Sequence, residues 1–287
     1  MRRLRPSLLA AGAALLLAAP AAVPAAEVKP GSYTGGSLRE HPALAYVLVK
    51  PGGDSLDALV HVRSDCEVYP LPLHATVSFR AAQLGEDGTA TVTKTISDTA
   101  RGPDGEPAHE QGEAVVTLQV ADDGSATGGF RIRSTFRGQD GATVAECDTG
   151  EVPLEVMGVP AGAGEGRARR PRRGGTYLGV VNAFPLVAEV RRSGTIEQTA
   201  FVYRSGCQRR QRIVFLPAIT PSRKGAFRVR GTQQLFAADG SVENVTVQML
   251  GRYGRDGGLR GTVRLRGELD GTECDTGELK WRAARAP

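Results

Sequence analysis

The chain has 287 residues, of which 40% are hydrophobic, 5% are aromatic and 37 are glycine, and its formal net charge is +5. A chain of this length allows one large domain or two ordinary ones. Long amphipathic helical patterns are absent, and their absence argues against a helical protein.

The N-terminal segment, residues 1–26, predicts an export signal. A positive stretch, MRRLRPS, precedes a short apolar stretch, LLAAGAALLLAA, and the small residues of AAVPAA place cleavage after Ala25 or Ala26. The apolar run is short for a bilayer span, and no second stretch long enough to anchor the chain follows. We therefore expect a secreted, periplasmic or cell-envelope protein with no membrane span.

The remainder of the chain repeats four landmarks in the same order, which predicts an internal duplication. The first copy covers residues 27–158 and the second covers residues 174–287. Between them, residues 159–173 are rich in Gly, Pro and Arg without apolar periodicity, and this composition predicts a solvated linker. The paired landmarks are GSYTGG and GTYLGV, LDALVHVRSDC and TIEQTAFVYRSGC, GGFRIR and GTVRLR, and ECDTGE in both copies.

Each copy reads as a series of short strands. Runs such as ALAYVLVK, EAVVTLQV and GFRIRSTF are rich in Val, Ile, Thr and Phe, and several alternate with period two. Asp-Gly pairs separate many of the runs and are typical of tight hairpins. We predict an all-β protein made of two tandem homologous antiparallel β-barrel domains, with a β-sandwich as the alternative. The strand count resembles lipocalin-type or avidin-type barrels, although no motif of either family is present.

Four cysteines in an exported chain predict two disulfides. Four cysteines allow three connectivities, but a duplicated unit that folds by itself favours pairing within each copy. The predicted bridges are therefore Cys66–Cys147 and Cys207–Cys274.

The repeated hexapeptide ECDTGE allows two interpretations. Two lobes that each carry Asp-Thr-Gly could supply Asp148 and Asp275 as the paired carboxylates of an aspartic protease. However, that motif comes early in each lobe of such proteases, whereas only 12 residues follow Asp275 here. The favoured interpretation is a turn in which Asp and Thr cap backbone groups and Gly takes a positive φ.

Other chemistry has little support in the sequence. All four histidines, His41, His61, His74 and His109, lie in the first copy without the spacing of a helical metal site. His61 and His74 fall on the polar side of alternating patterns, so we expect them to face solvent. No metal site, cofactor site or serine-nucleophile elbow is predicted.

The two copies differ in charge. Residues 27–158 contain 10 Lys and Arg against 20 Asp and Glu, residues 159–173 contain 5 against 1, and residues 174–287 contain 18 against 10. An overall basic chain therefore hides an acidic half and a basic half. Such a split can serve solubility, contact between acidic and basic halves, or capture of an anionic partner.

Arginines of the second copy are the candidate polyanion-binding residues. In FRVRG and TVRLRG the apolar residues would face the core and the arginines would share an outer face if the strands are neighbours. Further arginines follow the first cysteine of this copy. The candidates are Arg209, Arg210, Arg212, Arg228, Arg230, Arg264 and Arg266.

These patterns predict an exported, non-catalytic binding or interaction protein. Its expected partner is an anionic polymer, or another copy of the chain through head-to-tail association of acidic and basic domains. Nucleic acid ranks last because few aromatic residues interleave with the arginines. The alternatives are a carrier that holds a small apolar molecule inside one barrel, and the aspartic-type hydrolase.

Overall fold

The computed structural model describes residues 28–39, 41–64, 73–101, 106–166, 168, 174–204, 211–236, 242–269 and 271–287. The predicted signal peptide lies outside the described residues. The elements are β-strands, nine in each copy. In the first copy they are β1 (Gly31–Ser37), β2 (Ala43–Val49), β3 (Ser55–Ser64), β4 (Leu73–Gln83), β5 (Thr89–Arg101), β6 (Pro107–Val120), β7 (Ala126–Arg137), β8 (Thr143–Asp148) and β9 (Val152–Met157). In the second they are β10 (Gly175–Val181), β11 (Phe184–Val190), β12 (Ile196–Arg204), β13 (Gln211–Leu216), β14 (Ala226–Phe236), β15 (Val242–Tyr253), β16 (Leu259–Leu269), β17 (Thr272–Asp275) and β18 (Leu279–Arg285).

Each copy forms one nearly closed antiparallel barrel. The hydrogen-bonded order in the first is β4-β3-β2-β1-β9-β7-β6-β5, and the second repeats it as β13-β12-β11-β10-β18-β16-β15-β14. Strands β1 to β4 pair in chain order, as do β5 to β7, and β9 joins the two runs by pairing with both β1 and β7. The seam falls between β4 and β5, which contact without pairing. The structure therefore confirms the predicted pair of tandem barrels. We call residues 28–157 barrel one and residues 174–287 barrel two.

The ECDTGE segments interrupt the last strand of each barrel. In barrel one the first half of β7 pairs with β9 and its second half pairs with β8. In barrel two β16 pairs in the same way with β18 and β17. The strands β8 and β9, like β17 and β18, thus follow one line along the sheet and are separated only by the Asp-Thr-Gly turn.

Packed side chains fill the interior of both barrels. The inward residues of barrel one include Tyr33, and Phe79 packs edge-on against Phe130 at a centroid distance of 6.4 Å. In barrel two Tyr177 packs edge-on against Tyr253, whose hydroxyl donates to the carbonyl of Gly194 at 3.1 Å. The described interiors are therefore packed cores, mostly of aliphatic side chains, to which a few aromatics add edge-on contacts.

An apolar contact joins the two barrels. Leu44 of β2 packs in one buried cluster with Leu178 of β10 and Val187 of β11, and all three are fully buried. Across this contact the Thr34 hydroxyl donates to the carbonyl of Gly179 at 3.0 Å. Strands β2 and β11 are buried on both faces, which explains why their sequences are continuous apolar runs rather than alternating ones.

The linker is only partly solvated where the structure describes it, because Ala163 and Gly164 are buried whereas its other described residues are exposed or half-buried. Ala163 is buried, and the Gly164 amide donates to a carboxylate oxygen of Asp256 at 2.9 Å. The Arg255 amide donates to the carbonyl of Glu165 at 2.8 Å. The linker therefore lies against the hairpin between β15 and β16, because small Gly and Ala residues allow close backbone approach there.

Cys147 and Cys274 occupy equivalent buried positions in β8 and β17. Their predicted partners, Cys66 and Cys207, lie outside the described residues, so the pairing within each copy stays a prediction. Peptide mapping of the unreduced protein tests it, and a Cys66–Cys207 peptide would contradict it.

Within the described part of the chain, no helix is both long enough and apolar enough to cross a membrane.

Candidate functional site: a cationic face on the second barrel

Each Asp-Thr-Gly aspartate is held by two arginines of its own barrel. Arg131 donates from Nε and Nη2 to Asp148 at 2.9 and 2.6 Å, and Arg133 adds a bond at 2.9 Å. In barrel two Arg264 donates to Asp275 at 2.8 and 2.5 Å, and Arg266 adds a bond at 2.9 Å. Bidentate contacts of this kind fix the orientation of a carboxylate.

The threonine and glycine of the motif complete a structural turn. Thr149 Oγ1 accepts from the Ile132 amide at 3.1 Å, and Thr276 Oγ1 accepts from the Leu265 amide at 3.0 Å. Gly150 and Gly277 have φ angles of 60° and 63°, in the left-handed region that favours glycine. The same bonds recur in both copies, as expected for the turn interpretation of the hexapeptide.

The hydrolase alternative gains nothing from this geometry. An aspartic dyad needs two carboxylates that share one proton. Here the hydrogen bonds from Arg131 are the main reason that the pKa of the Asp148 carboxyl lies well below its usual range. Arg264 lowers the pKa of the Asp275 carboxyl in the same way. Each aspartate is thus an ionised partner of its own arginines, in a separate barrel.

Eight cations of the described residues lie on the outer face of β14, β15, β16 and β18, which we call the cationic face. Its inward neighbours, among them Val247, Val263 and Trp281, are buried in the core, so the alternate side chains point outward. The cations of this face are Arg228, Arg230, Arg252, Arg260, Arg264, Arg266, Lys280 and Arg282.

The predicted arginines of FRVRG and TVRLRG share this face, although their strands are not neighbours. Strand β15 lies between β14 and β16, and Gln248 stands opposite both Arg230 and Arg264. These two arginines therefore occupy one row, two strand spacings or about 10 Å apart. Arg228 and Arg266 lie in the rows on either side.

The other predicted arginines are not part of this face. Arg212 lies on β13, in line with Val214 and Leu216, whose side chains belong to the barrel interior. Arg209 and Arg210 lie outside the described residues. The structure therefore brings together the four arginines of β14 and β16 and separates Arg212 from them.

Four of the eight cations of the cationic face are not among the arginines predicted from the sequence. Arg252, Arg260, Lys280 and Arg282 join it only through strand register. One local signal could have found two of them, because the Asp256-Gly257 hairpin places Arg252 opposite Arg260. Lys280 and Arg282 come from the final strand, whose position beside β16 no local pattern predicts.

The four predicted arginines of this face differ in whether an acidic side chain neutralises their charge. Arg264 and Arg266 are bound to Asp275, as Arg131 and Arg133 are bound to Asp148 in barrel one. Arg228 and Arg230 are exposed and make no ion pair with any described residue. The charge available to a partner is therefore concentrated away from the Asp-Thr-Gly turn.

Barrel one provides an internal comparison, because its β5, β6, β7 and β9 form the equivalent face. Only Arg131 and Arg133 have cationic counterparts there, in Arg264 and Arg266. At the other six registers barrel one carries Thr91, Thr93, Gln119, Thr127, Pro153 and Glu155. The fold therefore forms without the additional positive charge, which only barrel two carries at these registers.

The carrier alternative predicted an apolar lumen open at one end. A groove of about 850 Å³ does lie between β6, β7 and β8, where Gly112, Ser134 and Cys147 line it. Its remaining lining includes His41, Glu113 and other charged groups, so the groove is not apolar. With packed side chains filling the described interiors, this observation does not favour a small apolar ligand.

His61 is buried, so its predicted exposure to solvent is wrong. Its side chain is 1% exposed, although it lies on the outer side of β3, opposite Leu44 in the inter-barrel contact. Nδ1 is 3.0 Å from the Thr76 hydroxyl, and burial lowers the pKa of His61 to about 4. The second barrel covers a strand face that the sequence alone presents as polar.

The other histidines supply no further site. His109 is exposed on β6, and the side chain of His74 lies outside what the structure describes. Among the described residues no group of three or more His, Cys, Asp or Glu is arranged to hold a metal ion.

Comparisons with known proteins add little. No family model matches the chain, and no curated protein matches it. One similar solved structure is a Bacteroides fragilis protein whose name places it provisionally at the outer membrane, with 8% identity and a TM-score of 0.24. The match covers 89% of this chain and 96% of that one. At this similarity it carries no argument about function.

Proposed function

We propose that this protein is an exported, non-catalytic binding protein that captures an anionic polymer on the cationic face of barrel two. The observation that carries the proposal is the difference between two barrels of one fold. Six registers that are neutral or acidic on barrel one are occupied by Arg or Lys on barrel two. A single-sign surface of this kind attracts polyanions and accelerates their association.

The chemistry between the cations supports a polymer ligand rather than a small one. Gln248, Thr246 and Thr262 lie among the cations and can hydrogen-bond to polar groups of a bound chain. Leu250, at 36% exposure, is the one large hydrophobic residue that the described surface exposes. No aromatic side chain projects from the described rows, so a nucleic acid would lack the stacking contacts that single strands use.

Head-to-tail association is the second candidate, because barrel one is acidic and barrel two is basic. Within one chain, however, the barrels meet through Leu44, Leu178 and Val187 rather than through opposite charges. Association between chains would have to use other surfaces, and we treat it as an outcome of the test.

The test uses the mature chain, residues 27–287, and measures its binding to polygalacturonate, dextran sulfate, polyphosphate and poly-glutamate at low and moderate salt. We expect salt-sensitive binding to at least one polymer, which Arg228→Thr with Arg230→Thr weakens. These changes install the residues that barrel one carries at the same registers, Thr91 and Thr93. The control is Arg223→Ser with Lys224→Ser, which removes two exposed cations outside the face.

Two results would contradict the proposal. If both double variants lose the same affinity, only net charge matters and the face is not a site. If no polymer binds while sedimentation shows salt-sensitive oligomers, head-to-tail association is the better function.

A further inference from the structure

Three arginines stand directly opposite one another across three neighbouring strands of the cationic face. Arg252 of β15 pairs with Arg260 of β16, and Arg260 pairs with Arg282 of β18. With adjacent strands about 4.8 Å apart, the three side chains leave the sheet within about 10 Å of one another. We call these three residues the arginine row.

The fold does not require this row, and folding is not helped by it. Like charges directly opposite on neighbouring strands destabilise a sheet. At the same registers barrel one has Gln119, Thr127 and Glu155, in the same antiparallel pairing. The arginine row therefore carries a cost in stability that the other copy of the fold avoids, as functional sites often do.

A carboxylate of the chain already lies beside the middle of the row. Glu165 of the linker approaches Arg260 at 3.8 Å, and the two side chains are 66% and 42% exposed. The linker backbone is held there by the bonds of Gly164 to Asp256 and of Arg255 to Glu165. An exposed ion pair of this length contributes little stability and is easily exchanged.

The row also has unused hydrogen-bonding capacity. Nε of Arg282 is buried and has no hydrogen-bond partner among the described residues. All three members are Arg rather than Lys, and the planar guanidinium fork matches the two oxygens of a carboxylate.

We propose that the arginine row binds consecutive carboxylates of a linear acidic polysaccharide, and that Glu165 is a tethered competitor which the ligand displaces. This inference rests on the proposed function and names its ligand class. The hydroxyl of Thr262 lies in the adjacent row and the amide of Gln248 lies in the row beyond it, and both hydrogen-bond to sugar hydroxyls of the same chain. A polyphosphate offers no such hydroxyls.

The decisive variant is Arg252→Gln, Arg260→Thr and Arg282→Gln. The first two changes install the barrel-one residues, and the third installs Gln, the uncharged amide analogue of Glu155, so that no acid is introduced. The mature variant should bind polygalacturonate about tenfold more weakly than the wild type, since the ion pairs of three half-buried arginines with the ligand are lost. Its unfolding temperature should be equal or higher, because the opposed charges are removed.

The charge-matched control removes three exposed cations elsewhere on barrel two, with Arg192→Ser, Arg223→Ser and Lys224→Ser. It should keep most of the affinity for polygalacturonate. Equal loss in both triple variants would overturn the row as a site. A clearly lower unfolding temperature for the row variant would also overturn it, because the arginines would then serve the fold.

The variant Glu165→Gln tests whether the Glu165 carboxylate competes with the ligand for the arginine row. Removing the tethered carboxylate should raise the affinity for polygalacturonate about two- to fivefold, and this gain should vanish when the row is already replaced. An unchanged or lower affinity would refute the competitor role.

The outcomes separate the inference from the proposed function. If the arginine-row variant binds normally while the Arg228 and Arg230 variant does not, the proposed role of the cationic face is supported and the proposed role of the arginine row is refuted. If the wild type prefers polyphosphate or poly-glutamate to polygalacturonate, the ligand class is wrong. If the wild type binds no polyanion, both proposals fail.

Discussion

At the residue scale, the repeated Asp-Thr-Gly forms the same hydrogen-bonded turn in both barrels. Asp148 orients two arginines, Thr149 satisfies a buried backbone amide, and Gly150 turns the chain. The identical bonds around Asp275 and Thr276 show that the motif encodes local geometry. The same six residues therefore form the same turn in each barrel.

Replacing Thr149 by Val should destabilise the protein by about 1–3 kcal/mol, because the Ile132 amide loses its acceptor in a buried position. Thr149→Ser retains the hydroxyl and should cost clearly less. Urea unfolding of both variants measures the difference. Equal losses would mean that the methyl group, and not the hydrogen bond, is what the site requires.

His61 should make stability depend on pH. Burial lowers its pKa to about 4 from an ordinary value of 6.5, so the unfolded chain binds the additional proton first as pH falls. The unfolding free energy should therefore fall between pH 6.5 and pH 4, by up to about 3 kcal/mol. Arg63, two residues along the same outer side of the strand and over the Phe215 ring, adds a like charge.

The measurement is denaturant unfolding across that pH range for the wild type and for His61→Gln, which keeps a polar group beside Thr76. The variant should lose the pH dependence that His61 contributes. His109→Gln, on an exposed residue, is the matched control and should leave the pH profile unchanged. Identical profiles for the wild type and His61→Gln would contradict the assignment.

At the element scale, the interrupted strand explains why each barrel has nine strands but eight places in its ring. The Asp-Thr-Gly turn displaces the chain between β17 and β18 while both stay paired to β16. Gly277, with φ at 63°, makes this displacement possible without steric strain.

Gly277→Ala should cost about 1–2 kcal/mol, because an L-residue with a Cβ is disfavoured in the left-handed region. A Cβ at this position would meet no atom within 4 Å, so the cost is backbone strain alone. Gly277→Asn should cost less, since Asn tolerates this conformation. Thermal unfolding compares the two variants, and an Asn variant no better than the Ala variant would argue against this explanation.

At the scale of the whole molecule, the two barrels are joined by an apolar contact and by a linker that docks onto barrel two. Leu178 lies at this contact, fully buried between the barrels. A contact of this kind couples the unfolding of the two barrels, because separating them exposes apolar surface to water.

Leu178→Ala should therefore weaken the coupling and cost about 2–5 kcal/mol. Calorimetry should show one transition for the wild type and two resolved transitions for the variant. The control is Leu154→Ala, which creates a similar cavity inside barrel one and leaves the contact intact. A single lowered transition for both variants would contradict a coupling role for the contact.

Much of the architecture could be predicted from sequence because its determinants are local. Period-two alternation predicted the strands, and Asp-Gly pairs such as Asp123-Gly124 and Asp256-Gly257 predicted hairpins that the structure contains. Repetition of the landmarks predicted that two similar units exist. Trp281, on the last strand, is buried in the core.

The site depended on information that no local pattern contains. Arg252 and Arg260 could have been matched through their hairpin, but Arg282 reaches the same row only because the last strand pairs beside β16. The prediction that His61 faces solvent was wrong for the same reason, since a distant segment covers its side chain. The sequence by itself determined the strands, turns and duplication, because those depend on neighbouring residues. Only the tertiary structure decided which outer faces are covered and which charges meet, because burial and electrostatic contact depend on segments far apart in the chain.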